Sequence, residues 1–320
     1  MSLVTNKDRE KNFEKVLYGK EQKKSDYAFE ILENLGVQID TNSDKERFIK
    51  EATSRMEVVT LMHSLECIEI ANHFIEEFKS QGKDFQETFK ISENDFKISL
   101  LVHDVGKISI NRELLLSNKQ YSDKDREEMK SHSLKALHTF QLINDVANPG
   151  KNIKDVFDSK ITDVAVNHHL LYLSDDFERR LLKPHIKLAS MIDVLEAMSS
   201  DNRYYKTPSE ISEIKDNEMK TLKFCKESEY GILKCFAEEK IIEKLLENSK
   251  DTRNLISDKF ETFINGEKII ANALNEEILR HEVILRQASS TEISEDEIRL
   301  NEEAIATQFP QTTNIGLNLS

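Results

Sequence analysis

Tryptophan is absent from this chain, and glycine and proline are scarce, at 8 and 4 of 320 residues. A β-sandwich or barrel needs frequent turns, and turns draw on glycine and proline, so the scarcity disfavours those architectures and points to long helices. Cysteine is rare and odd in number: Cys67, Cys225 and Cys235, with no CxxC pair. That excludes a disulfide framework or a zinc knuckle and leads us to expect reduced thiols in a cytoplasmic protein. No apolar run approaches the ~20 residues of a membrane span. The opening "MSLVTNKDREKNFEK" lacks the apolar core of a signal peptide. Positive charge is in deficit as well, with 45 Lys and Arg against 59 Asp and Glu and a formal net charge of −14. This balance disfavours wrapping on a nucleic-acid polymer or lying on an anionic membrane, yet leaves room for a small phosphate ligand in a local basic pocket.

Charged residues, rich in Glu and Lys, make up 32% of the chain, and these are good helix formers. An all-α fold is expected. Residues 1–56 read as a polar helical extension, with Ser25 a candidate N-cap and Gly36 a candidate helix stop. From 57 to 225 the helices grow more apolar and form the central domain. There, Ser92 with Asp95 and Ser122 with Asp125 have the spacing of capping boxes. Residues 226–320 read as a Glu/Lys-rich helical extension with a frayed tail, "QFPQTTNIGLNLS".

The chemistry-bearing residues lie in the central part. In "LLVHDVGKISI", His103 and Asp104 stand side by side at the end of an apolar run. His63 shares a helix face with Val59, Cys67 and Ile70, and His132 shares one with Met129, Ala136 and Phe140. His168 and His169 are adjacent, one turn after Val164 and Ala165. Asp193 sits in "KLASMIDVLEAMSS", a helix apolar almost all round. Taken singly, each has a bland explanation: a satisfied core histidine, or for Asp193 an ion pair with an arginine or a capped backbone donor. Taken together, five inward histidines and two inward acids are hard to explain by packing, because buried charge is costly unless paired or metal-bound. Neutral imidazoles with carboxylates suit a two-metal site for Fe, Mn or Zn. His73, His138, His185 and His281 join no second cluster, and His138 lies about 240° round its helix from His132. Cys67 reads as core.

The residues His63, "HD" at 103–104 followed by Gly106 and Lys107, Lys130-x-His132, the pair His168–His169, and the run from Asp193 to Asp201 recur in the order of an HD-domain phosphohydrolase. More narrowly, the chain resembles the HD-GYP subfamily, whose members hydrolyse cyclic di-GMP, over roughly 57–225. The resemblance implies an all-helical bundle with two divalent transition metals, iron or manganese ahead of zinc. It implies His63, His103, Asp104, His132, His168, His169 and Asp193 as ligands, and Asp104 and Lys107 as catalytic residues, with Lys107 on the scissile phosphate. Arg203 and Lys206 in "NRYYK" would contact further phosphates. Two departures stand out. The loop after the paired histidines, "LLYLSDDFERRLLKP", has no glycine where the family has a Gly-rich stretch ending in Gly-Tyr-Pro, which implies a different loop. The position one turn before His63, where trinuclear members carry Glu, is Val59, which argues against a third metal.

The expected function is therefore a cytoplasmic phosphodiesterase that opens a cyclic dinucleotide, cyclic di-GMP first, to the linear form. Three other readings stay open: a non-catalytic metal-binding signalling module that docks partners through its helical ends, an HD-type phosphohydrolase for another nucleotide, and a helical scaffold with no metal, in which core pairing would have to satisfy every inward charge. Neither a nucleic-acid polymer nor a membrane is an expected partner.

Overall fold

The computed structural model describes residues 21–116, 122–170 and 182–199, together with Ile256, Lys259, Phe260 and Phe263. The described residues all fall within the unit Met1–Lys268, and they are all-α, with no strand among them. Helix α1 covers residues 21–34. It is followed by α2 (Asp44–Arg55), α3 (Val58–Ser80), α4 (Phe85–Phe89) and α5 (Glu93–Val102). A 3-10 turn, Val105–Ser109, leads to α6 (Arg112–Leu116). Then come α7 (Asp123–Ala147), α8 (Ile153–Val156), α9 (Ser159–Asn167) and α10 (Pro184–Ser199).

Local chemistry sets the helix ends. The hydroxyl of Ser92 accepts from the Asp95 N–H at 3.0 Å. Ser122 and Asp125 form both halves of a capping box, which satisfies donors that the first turn would leave open. Asp158 starts α9 in the same way, accepting from the Lys160 N–H at 2.8 Å. Gly36, at φ +66°, ends α1: Val37 N–H reaches Leu32 O and Gly36 N–H reaches Glu33 O, the double bond of a Schellman motif. Ser25 does not cap α1. The helix already includes residue 21, and Ser25 is buried against α2, its hydroxyl 2.9 Å from Thr53 Oγ1 and 3.2 Å from Lys50 O. Packing has turned a residue suited to capping into a helix–helix contact.

Helix α3 is the hub. It is buried on nearly all sides and packs against α4, α5 and α10. Helix α9 touches α5, α7 and α10, while the 3-10 turn and α2 both lie on α7. One hydrophobic cluster runs from Ala28 to Leu195 and takes in Ile256 and Phe260. Residues 28–56 are part of this core: Phe48 stacks on Phe140 with centroids 5.3 Å apart and meets Phe157 edge-on at 4.9 Å. Among the described residues, no helix is long and apolar enough to cross a membrane.

Candidate metal centre

Seven of the residues singled out in the sequence converge from different elements. His63 comes from the first half of α3, His132 from α7 and Asp193 from α10. The others come from helix ends. His103 is the C-cap of α5, with Asp104 next in the chain. His168 is the C-cap of α9, with His169 following. Ending a helix at the site lets two consecutive residues reach the same centre, which a continuing helix forbids because neighbours diverge by about 100°. Six of the seven are buried and His169 is partly so.

Close packing of the backbone aligns two of these elements. A Cβ on Gly106 would lie 2.0 Å from the carbonyl oxygen of His132. Only a residue without a side chain lets the 3-10 turn after Asp104 rest directly on α7. The "HDVG" stretch and His132 are thus held together by main chain.

The polar atoms fall into two groups that share Asp104. In the first, His63 Nε2 is 3.0 Å from Asp193 Oδ1, 3.2 Å from His103 Nε2 and 3.6 Å from Asp104 Oδ2. His103 Nε2 is 3.5 Å from the same Asp104 oxygen and 3.7 Å from Asp193 Oδ1. In the second, His132 Nε2 is 3.0 Å from Asp104 Oδ1, 3.3 Å from His168 Nε2 and 3.1 Å from His169 Nε2. His168 Nε2 is 3.7 Å from Asp104 Oδ1. Ligands about 2.1 Å from one cation lie about 3.0–3.4 Å apart in octahedral or tetrahedral arrangement, so these spacings match donors arranged round an ion.

The protonation pattern points the same way. Nδ1 of His103 lies 2.6 Å from Leu100 O, that of His132 2.5 Å from Met129 O, and that of His168 3.1 Å from Ala165 O. A carbonyl only accepts, so Nδ1 carries the proton and, in a neutral ring, Nε2 presents a lone pair. In the second group the Nε2 atoms of His132 and His168 face each other at 3.3 Å. A cation between them would take a lone pair from each ring, and ring N–H anchoring by backbone or carboxylate is the usual support of a metal-binding histidine. The groups His63–Cys67–His103, His103–Asp104–His168 and His132–His168–His169 each have the spacing to hold a metal ion.

Burial and neighbouring groups together set the charges. Burial pushes His169 down to about 4 and, with His169 and His103 alongside, holds His168 well below the usual histidine value. Burial also works against ionised Asp104, but Lys107 and the imidazoles of His103 and His132 outweigh it and hold the carboxyl well below its usual range. Asp193 is held low against the same penalty by His103 and His63. His168, His169 and the two carboxylates are thus in the forms that bind metals, whereas His63, against burial, is held well above the usual histidine value by Cys67, Glu196 and Asp193, so a bound cation would displace its proton. The Lys107 ammonium pairs with Asp104 Oδ2 from the more open side, its side chain 21% exposed against 2% for Asp104.

Arg203 and Lys206 lie outside the described residues, as does His281. Of the other histidines set aside in the sequence, His73 bonds Glu69 at 3.0 Å, His138 is exposed and His185 is buried; among the described residues none joins the centre. Two residues that do were not picked as site residues. Cys67 Sγ lies 3.9 Å from both ring nitrogens of His63, with burial pushing its thiol up to about 12. Its signal was the i, i+4 spacing from His63. Glu196 Oε2 bonds His63 Nδ1. Its signal was a second acid three residues after Asp193 on an otherwise apolar helix.

Comparison of the chain with family models, with curated proteins and with solved structures finds no match.

Proposed function

We propose that this chain is a metal-dependent phosphodiesterase of the HD-domain kind, with a cyclic dinucleotide, cyclic di-GMP first, as its substrate. The observation that carries the reading is the convergence of His63, His103, Asp104, His132, His168, His169 and Asp193 into two donor groups bridged by one carboxylate. The first group has two imidazoles and two carboxylates, the second three imidazoles and the shared Asp104. Each suits a divalent transition ion such as iron, manganese or zinc, and the resemblance to HD-domain proteins puts iron or manganese first. When bound, such ions supply Lewis acidity toward a phosphoryl oxygen and lower the pKa of water.

The chain's own groups do the rest. The backbone carbonyls behind His103, His132 and His168 fix which nitrogen faces the centre. Asp104 stays ionised and presents one oxygen to each group. Lys107, paired with Asp104 at the open side, would bring its positive charge to a bound phosphate and stabilise charge growing on the phosphoryl oxygens during displacement. Arg203 and Lys206 would hold the remaining phosphate.

Metal-loaded protein assayed on a panel of cyclic dinucleotides, mononucleotides and a simple phosphomonoester tests this. Opening of cyclic di-GMP to the linear dinucleotide is expected, at a reduced rate because the stretch 170–184 lacks glycine. Cleavage confined to the monoester or mononucleotide would move the assignment to another HD-type phosphohydrolase. The same glycine-free stretch favours a second reading, a metal-binding signalling module without turnover. Cyclic dinucleotide binding by titration calorimetry with no cleavage of any substrate would select it.

A further inference from the structure

Three of the four buried histidines at the centre are held at Nδ1 by a main-chain carbonyl of their own helix. His63 is held differently. Its Nδ1 faces a carboxylate oxygen of Glu196, which arrives from α10, 133 residues away in sequence. Glu196 is 1% exposed. It lies one turn beyond Asp193, so one helix brings both an acid that faces the His63 Nε2 and an acid that faces its Nδ1. The two nitrogens of an imidazole point away from each other, so Glu196 stands behind His63 and outside the donor group.

We propose that Glu196 is a positioning residue for the first donor group. It holds His63 with the proton on Nδ1 and turns Nε2 toward His103, Asp104 and Asp193. Its negative charge makes that nitrogen a stronger donor than one anchored by a neutral carbonyl. The inference rests on the metal-centre reading above and adds an asymmetry to it. The first group has Asp104 and Asp193 in front of His63 and Glu196 behind it, whereas the second has three imidazoles and only the shared Asp104. The first group is therefore the tighter site for a divalent cation, and its advantage depends on Glu196.

The test is metal binding, read without turnover. Wild type, Glu196→Gln and Glu196→Asp are stripped of metal and titrated with Mn(II) by calorimetry. Stoichiometry is checked by elemental analysis, and folding by circular dichroism. Wild type is expected to take up two equivalents in a tight and a weaker step. Glu196→Gln keeps the size and an acceptor but removes the charge, and it should weaken the tight step by about 10–100-fold while leaving the other unchanged. Glu196→Asp restores the charge on a shorter arm and should fall between the two; it also serves if the glutamine variant does not fold. A glutamine variant that binds both equivalents as wild type does, or that loses both steps equally, overturns the role of Glu196 and leaves the metal reading standing. Wild type that takes up no metal overturns the metal reading and this inference with it.

Discussion

Replacing Gly106 with alanine should disable the centre from a position that carries no ligand. The added methyl would sit 2.0 Å from His132 O and 2.8 Å from His132 C. Both are backbone atoms, so no rotamer change relieves the clash. Ordinary contact begins at 3.4 Å, so the 3-10 turn and α7 must separate by about 1.4 Å at this point, a displacement of the kind that overpacking forces on a core. The turn follows directly on Asp104, and α7 carries His132, whose polar atoms lie 3.0 Å apart. Metal ligation tolerates only about 0.2 Å of error in ligand distances, so the second donor group should open. Overpacking costs about 1–3 kcal/mol, which in a domain of this size lowers Tm by roughly 4–8 °C if the cost is near the middle of that range. The assays are thermal unfolding with and without Mn(II), and metal content after reconstitution. Gly36→Ala is the control. It has room for the methyl, 3.7 Å from Lys97 Nζ, but a φ of +66°, and should cost about 1–2 kcal/mol through left-handed backbone strain alone with metal content unchanged. A Gly106→Ala protein with wild-type Tm and full metal content would refute the reasoning.

Three further outcomes are expected. Asp104 has an oxygen in each donor group, so Asp104→Ala should lose both equivalents of metal, whereas His169→Ala should lose one; elemental analysis of the reconstituted proteins distinguishes them, and equal loss would mean that the groups are not separate. Lys107→Ala should keep its metal and its fold but lose about 10²–10³-fold in turnover of a phosphodiester; wild-type kinetics would remove Lys107 from the chemistry. In the metal-free protein His169 falls from 6.5 to about 4 on folding, so between those values the unfolded chain binds more protons. The stability that wild type holds over His169→Gln should then be complete above about pH 6.5 and shrink as pH falls toward 4, by about 3 kcal/mol at ~1.36 kcal/mol per unit. Urea unfolding at several pH values reads it, and a difference that grows on acidification would reverse the assignment.

Much of this molecule was legible in the chain. Scarce glycine and proline and the 3.6-residue spacing of apolar positions predict helices, and capping residues at 92 and 122 mark starts because side chain to backbone bonding is local. The seven inward groups were legible for a related reason: an ionisable residue on an apolar helix face is costly, so its presence marks a site. Ser25 shows where such reading stops. Its chemistry suits a cap, but whether a serine meets its own backbone or a neighbouring helix depends on what packs beside it, and here α2 does.

The sequence by itself determined the helical class and the set of polar residues that must be satisfied indoors, because periodicity and burial cost act along one helix at a time. Tertiary structure alone decided how that set divides. Asp104 bridges the two groups, Glu196 lies behind His63, Cys67 lies beside that ring, and Gly106 touches His132 O. The physical reason is that hydrogen bonds and ligand contacts act over about 3 Å, while the residues that make them are up to 133 positions apart, and only the packing of α3, α5, α7, α9 and α10 brings them within that range.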